Sequence, residues 1–276
     1  MVIIVDTLRD IQLFELKMLK DVVKVCDDNN IEYMLSSGTL LGAVRHGGFI
    51  PWDDDIDIYM TLDNYKKFLK VGQQALGEKY FVQNYETDKL YFEMWTQIRA
   101  NGTTSMPVKF KNWNIHFGMC LDIFPIVGVS DNEKKRKKQK KALCFNRLLL
   151  MDGFLKATGE NISSKMKLLY KIPYRIRKAI CKFNESKIYL DHKKYSYCAT
   201  IWYDLTIIYP SCLFENLTKI KFEDSEFTTL SKYDEYLTIL YGDYMTPPKE
   251  SERNGHSGEL GEIIMDTKKD YKEYKN

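Results

Sequence analysis

Residues 36–60 read Ser36-Ser37-Gly38-Thr39-Leu40-Leu41-Gly42-Ala43-Val44-Arg45-His46-Gly47-Gly48-Phe49-Ile50-Pro51-Trp52-Asp53-Asp54-Asp55-Ile56-Asp57-Ile58-Tyr59-Met60. A small-residue turn here precedes four aspartates packed into five positions. Carboxylates this dense repel one another unless a multivalent cation sits among them, and oxygen-only ligands suit Mg²⁺ or Mn²⁺. Residues 55–60 alternate acid and apolar, so a strand would carry Asp55 and Asp57 on one face and Ile56 and Ile58 on the other. Asp53 shares the parity of Asp55 and is an auxiliary ligand; Asp54 is expected to point away. The stretch predicts metal-dependent chemistry on a phosphate, against the plainer reading of a solvated acidic turn.

Working outward, Leu8, Ile11, Phe14, Met18, Leu19, Val22, Val25 and Cys26 recur at helical spacing between Thr7 and Asn29, with Thr7 and Asp10 as a capping box. Ile31–Leu35 reads as a short strand leading into the Ser-Ser-Gly-Thr turn. Downstream, Asp63–Leu76 reads as a helix, and Tyr80–Tyr85, Glu93–Ala100 and Ile115–Phe124 as strands. Residues 1–128 therefore form a mixed α/β catalytic core. Residues 129–195 form a basic helical segment opening with Lys134-Lys135-Arg136-Lys137-Lys138-Gln139-Lys140-Lys141. Residues 196–276, with strand-like Thr200–Tyr209 and Lys219–Thr229 and a short helix at Asp234–Leu240, are expected to pack on the core and complete the site.

The chain has 276 residues, 44% of them apolar and 13% aromatic, which is ample for a packed core. A formal charge of +3 gives no indication of a nucleic-acid partner. Cys26, Cys120, Cys144, Cys181, Cys198 and Cys212 contain no Cys-x-x-Cys pair, which speaks against a zinc ribbon or a disulfide framework and for reduced thiols. The first residues lack the layout of a signal peptide, and no run of about 18 uncharged apolar residues occurs, so a cytoplasmic protein is expected. His46, His116, His192 and His256 show no metal spacing.

Two strand carboxylates leave an octahedral ion poorly fixed, and Asp122, alone among apolar residues in Met119-Cys120-Leu121-Asp122-Ile123-Phe124-Pro125, is the candidate third ligand. Gly38-Thr39, the acid-apolar-acid strand and the later lone acid together resemble the nucleotidyltransferase fold. The phrases Gly38-Thr39-Leu40-Leu41-Gly42-Ala43-Val44-Arg45-His46, Gly48-Phe49-Ile50-Pro51-Trp52-Asp53-Asp54-Asp55-Ile56-Asp57-Ile58, Leu121-Asp122-Ile123-Phe124-Pro125 and Tyr241-Gly242-Asp243-Tyr244-Met245 with its following Pro247-Pro248 resemble the LicD family of phosphotransferases, over roughly residues 9–256.

That resemblance implies an α/β, nucleotidyltransferase-like mixed sheet flanked by helices, with a basic helical insertion and a C-terminal β-hairpin and helix. It also implies Mg²⁺-dependent transfer of a phospho-alcohol from a CDP-linked donor to a glycan or lipid-linked glycan of teichoic acid, capsule or lipopolysaccharide type, with CMP leaving. Phosphocholine is the leading cargo; phosphoglycerol, phosphoribitol, true nucleotidyl transfer releasing pyrophosphate, and a nucleotide-binding scaffold are the alternatives.

Asp55 and Asp57 would hold the metal, and Asp122 would complete its site or accept the acceptor's proton. Backbone amides of Ser37, Gly38 and Thr39 would contact phosphate. Arg45 and His46 follow that turn and Arg99 lies on a predicted strand, each a donor contact or a surface residue. Arg253 and His256 match a basic pair that follows the Tyr-Gly-Asp-Tyr-Met motif. Trp52 and Trp95 could cage a quaternary ammonium, or simply pack. The lysines at 134–141 and the amphipathic stretch Lys165–Lys182 read as a solvated face or as a contact with an anionic membrane leaflet.

Overall fold

The computed structural model describes residues 6–201, 205–253, 255 and 261–275. Helix α1 (Leu8–Asp28) opens on the expected capping box, with the Asp10 amide donating to Thr7 Oγ1 at 3.1 Å and the Thr7 amide donating to Asp10 Oδ2 at 3.1 Å. Its apolar stripe, including Ile11, Met18, Leu19, Val22 and Cys26, is fully buried. After strand β1 (Met34–Leu35) the small residues do not make a free turn. They form the first turn of helix α2 (Ser37–His46), entered through Ser37 at φ 47°.

Strand β2 (Asp57–Thr61) and helix α3 (Leu62–Leu76) follow, then β3 (Tyr80–Gln83), β4 (Thr96–Ala100), β5 (Thr104–Pro107) and β6 (Cys120–Val129). The acid-apolar alternation becomes a strand only at Asp57, so Asp55 lies in irregular chain ahead of it and pleat parity does not govern residues 53–55. Likewise, residues 115–119 precede β6 rather than belonging to it. Gly118 crosses so close to β4 that a β-carbon there would stand 2.1 Å from the Ala100 carbonyl oxygen, which only glycine accommodates.

The central sheet is mixed and runs β1-β2-β6-β4-β3. β2 lies parallel along one edge of the long strand β6, while β4 and β7 (Tyr197–Thr200) share its other edge, both antiparallel. β8 (Ile208–Pro210) extends the sheet beyond β7, so the strand expected over 200–209 is two strands. One sheet face is apolar: Ile58, Met60, Leu121, Ile123 and Ile98 are all fully buried there, under α1 and α3.

Between β6 and β7 lie four helices, α4 (Glu133–Leu150), α5 (Asp152–Thr158), α6 (Ser164–Leu169) and α7 (Tyr174–Ile188). The stretch read as a strand at 219–229 is a hairpin, β9 (Leu217–Phe222) and β10 (Ser225–Leu230), turning at Glu223 with φ 58°. Glu223 receives both Arg9 guanidinium nitrogens at 2.9 and 2.6 Å and the Phe49 amide at 3.1 Å, tying hairpin, α1 and the exit of α2 together. Helix α8 (Tyr233–Tyr241), strand β11 (Ile263–Asp266) and helix α9 (Tyr271–Tyr274) complete the described chain. β11 pairs antiparallel with β5, a two-stranded ribbon the sequence patterning missed. Among the described residues no helix is long and apolar enough to cross a membrane.

Candidate active site

The second face of the sheet carries a polar row at one end, beyond which Tyr59, Phe124 and Ile126 are again buried. Strand register aligns Asp57 with Asp122, Asp122 with Gln97 and Gln97 with Gln83, a row of polar side chains across β2, β6, β4 and β3. Because β2 and β6 are parallel neighbours in register, Asp57 and Asp122 rise side by side from one face. The backbone around Asp57 is fixed by α2, since its amide donates to Thr39 Oγ1 at 2.9 Å and its carbonyl accepts from the Ser36 amide at 3.2 Å. Asp122 is held by Trp95, whose indole Nε1–H donates to Oδ1 at 3.1 Å, and its amide donates to the Ile56 carbonyl at 2.9 Å.

Asp122 opens onto a cavity of about 340 Å³ that it lines with Asp54, Asp55, Arg99, Gln97 and Glu93 on its polar side. The opposite wall is aromatic. Trp113 and Phe154 stand 5.1 Å apart, Phe92 and Phe154 5.2 Å, Phe110 and Phe154 5.3 Å, and Phe92 and Trp113 5.6 Å. Tyr91 is among the residues that line the same space, and its hydroxyl is buried with no hydrogen-bond partner among the described residues. Burial, then the charges of Asp122 and Glu93, push its ionisation well above the ordinary range, so it is a donor at neutral pH.

Arg99 is buried beneath the polar row. Its guanidinium donates to Gln83 Oε1 at 2.8 Å, to the Gly118 carbonyl at 2.9 Å and to Gln97 Oε1 at 2.5 Å, all neutral acceptors. The Cys120 thiol beneath it is raised first by burial, opposed by Arg99 and reinforced by Asp122, Glu15 and Asp55, groups that all converge on this point. Glu15, buried on α1, is a neighbour that sequence reading missed: its helical position marked it as one more polar residue.

A second cluster adjoins the first along residues 52–55. Arg45 Nη1 donates to the Tyr244 carbonyl at 2.7 Å, and its pKa is lowered by burial and then by Arg253, so the two guanidiniums feel each other. Arg253 lies over the Trp52 ring at 5.0 Å, and His46 meets Trp52 edge-on at 6.1 Å. Burial and Arg45 hold His46 below its ordinary pKa. Gly255 packs against this segment, where a β-carbon would come within 2.7 Å of the Trp52 carbonyl and 2.9 Å of Asp54 Oδ1. Two crowded guanidiniums with a neutral imidazole make a place for an anion.

Several expectations change. Asp54 does not point away; it lines the cavity. The Ser37 amide is already engaged by the Tyr236 hydroxyl at 3.2 Å, and Thr39 acts through its hydroxyl on the Asp57 backbone. Asp53 lies over the N-terminus of α2, with Oδ2 2.8 Å from where a Gly38 β-carbon would be. Trp52 does not line this cavity and has one ring face covered by Arg253, whereas Trp95 lines it but is 4% exposed and committed to Asp122, so most of the aromatic wall comes from other residues. His256 lies outside the described residues.

No three His, Cys, Asp or Glu side chains form a ready metal cage among the described residues. Mg²⁺ is commonly held by one or two carboxylates together with substrate phosphates, and the all-oxygen pair Asp57 and Asp122 fits that mode.

Paired carboxylates, a buried guanidinium and a walled cavity are the equipment of a phosphotransferase. Comparison with known proteins agrees. The family described as LicD/FKTN/FKRP, nucleotidyltransferase domain, matches residues 30–152, which include the whole polar row. The chain is 30% identical over 273 residues to the lipopolysaccharide cholinephosphotransferase LicD of Haemophilus influenzae, covering 91% of this chain and 96% of that protein. It is 31% identical over 97 residues to the human ribitol 5-phosphate transferase FKRP, covering 29% of this chain and 20% of that protein. An uncharacterized protein of Rickettsia typhi is 57% identical over 58 residues, 21% of this chain. The chain belongs to the LicD family and is a phosphotransferase.

Proposed function

We propose that this protein moves a phospho-alcohol, phosphocholine in the first place, from a CDP-linked donor to a hydroxyl of a cell-surface glycan precursor, on a nucleotidyltransferase-like core. The observation that carries the reading is the meeting of Asp54, Asp55 and Asp122 with an aromatic wall in one cavity, Asp57 standing beside Asp122 on the neighbouring strand. A trimethylammonium group is attracted by aromatic faces and by carboxylates, whereas a polyol needs hydrogen-bonding walls. The similarity to a cholinephosphotransferase over nearly the whole chain supports the same cargo.

In the reaction the acceptor oxygen forms a bond to the phosphorus distal to cytidine, the bond from that phosphorus to the CMP oxygen breaks, and the acceptor's proton passes to a carboxylate. Mg²⁺ held by Asp57 and Asp122, with Asp55 in reach, would neutralise the diphosphate and the departing CMP. The chain's own groups then have separate tasks. Trp95 fixes the orientation of Asp122 by donating to its Oδ1. Arg99 supplies a buried positive charge, and Tyr91 donates to a substrate oxygen in the cavity. Arg45 and Arg253, with Gly38 and Thr39 at the start of α2, face the nucleotide side of the donor.

The test is release of CMP from CDP-choline by purified protein with Mg²⁺ and a glycan acceptor. Release of pyrophosphate instead would move the protein to nucleotidyl transfer. A second reading, phosphoribitol transfer, is favoured by the similarity to the ribitol 5-phosphate transferase. Turnover of CDP-ribitol in preference to CDP-choline would establish it.

A further inference from the structure

The outer side of the α4–α7 helix pair combines bare apolar side chains with a dense row of lysines. The inner side of each helix is fixed by its contacts. Arg147 of α4 pairs with Glu93 at 3.0 Å; on α7, Lys178 pairs with Glu86 at 2.9 Å, and Glu185 accepts from the Tyr85 hydroxyl. The residues turned into the core are Leu143, Asn146 and Leu150 on α4 and Arg177, Cys181, Asn184 and Ile188 on α7, and Phe145, Ile176 and Phe183 stand about 100° or more off that line, on the solvent-facing flank. They are 41%, 52% and 73% exposed, and Leu168 of α6, beside the end of α4, is 67% exposed.

The charge on this side has one sign. Lys134, Lys138 and Lys141 stand eleven, seven and four residues before Phe145 and share its stripe. Lys187 reaches over the Phe183 ring at 5.0 Å. The two acids of these helices are occupied elsewhere: Glu133 pairs with Lys137 at 2.6 Å and Glu185 faces Tyr85. Apolar residues that enter the acyl boundary, flanked by lysines that reach the headgroups, are the chemistry of interfacial binding.

We infer that the outer face of α4 and α7 docks on an anionic lipid bilayer. This surface offers separated apolar points in a cationic field, which suits a fluid anionic plane. The inner side of the same layer closes the active-site cavity, through Phe154 of α5 and the Glu93 that Arg147 holds. If the proposed function holds, docking brings that cavity to a membrane-borne glycan acceptor.

The experiment is co-sedimentation of the full chain with vesicles of phosphatidylcholine alone and of phosphatidylcholine containing about one-third phosphatidylglycerol. Binding is expected to the anionic vesicles only and to weaken with salt. Replacing Lys134, Lys138 and Lys141 together by Gln should weaken it on the order of 100-fold. The triple change Phe145→Ser, Ile176→Ser and Phe183→Ser should abolish stable association while leaving the circular dichroism spectrum and turnover of a soluble glycan acceptor unchanged. Indifference to lipid charge, undiminished binding by both variants, or a concentration-dependent dimer that the serine variant dissolves would overturn the inference. Because vesicle binding needs no donor, it can fail while the enzymatic reading stands, and the converse.

Discussion

Asp57 and Asp122 owe their positions to different devices, and so their substitutions should read differently. Asp57 is fixed through its backbone by Thr39 and Ser36, so Asp57→Asn keeps the packing and removes only charge. Its turnover should fall by about 10²- to 10³-fold, the loss typical for one electrostatic stabiliser, with an unchanged melting curve. Tyr91→Phe removes a hydroxyl that bonds to nothing in the described protein. It should leave stability intact and lower kcat/KM by roughly tenfold, one hydrogen bond to substrate; an unchanged kcat/KM would remove Tyr91 from the site. Asp57 and Asp122 were legible from sequence because an acid at the head of an apolar strand and a lone acid within one are local signals, whereas the parity that joined Asp55 to Asp57 does not hold in the irregular chain before β2. Tyr91, Glu15 and Trp113 were not legible, since a buried aromatic or helical acid looks the same whether or not a cavity lies beside it.

At the scale of elements, the basic helices show how much one charge type can conceal. Arg177 sits in a row of bases that reads as surface, yet it is 4% exposed at its side chain and bonded to Asp152 at 2.9 Å, to the Ile172 carbonyl at 3.1 Å and to the Leu149 carbonyl. Tyr170 and Tyr174 stack on its guanidinium at 5.3 and 5.6 Å. It is the staple that joins α5 to the start of α7. Arg177→Met strips Asp152 of its 2.9 Å partner, leaving the exposed Lys156 at 3.7 Å, and empties a buried site, and should cost about 3–5 kcal/mol in urea unfolding, whereas Lys141→Met, on the outer stripe, should change stability by less than about 0.5 kcal/mol. Helical periodicity marked the segment as helical, but neither its division into four helices nor which base turns inward. The start of α2 was misread for a related reason: Ser-Ser-Gly-Thr has turn chemistry, and the contacts that wind it into a helix come from Tyr236 and Tyr59, far along the chain.

Across the whole molecule, the cavity is assembled from residues 54 to 265, which explains why its polar floor could be read from motifs and its walls could not. The fold's acid sensitivity is also a long-range property. His116 accepts from the Gly118 amide at 3.0 Å through Nδ1 and meets Asn101 at 2.8 Å through Nε2, so its ring is neutral in the fold. Burial, then Arg99, lowers its pKa from 6.5 to about 4. The unfolded chain takes up that proton below 6.5, so stability should fall as pH drops from 6.5 to about 4 and the contribution should level off below. His116→Gln should flatten that limb of the melting temperature against pH; an identical limb would place the titration elsewhere.

The central claim is that the acid row of β2 and β6 drives transfer of the phospho-alcohol with CMP as leaving group. Product analysis with CDP-choline, Mg²⁺ and a glycan acceptor, run on the wild type, on Asp57→Asn and with EDTA, tests it most directly. The account predicts CMP and a phosphocholine-bearing glycan from the wild type alone; pyrophosphate as product, or equal CMP release in all three, would contradict it.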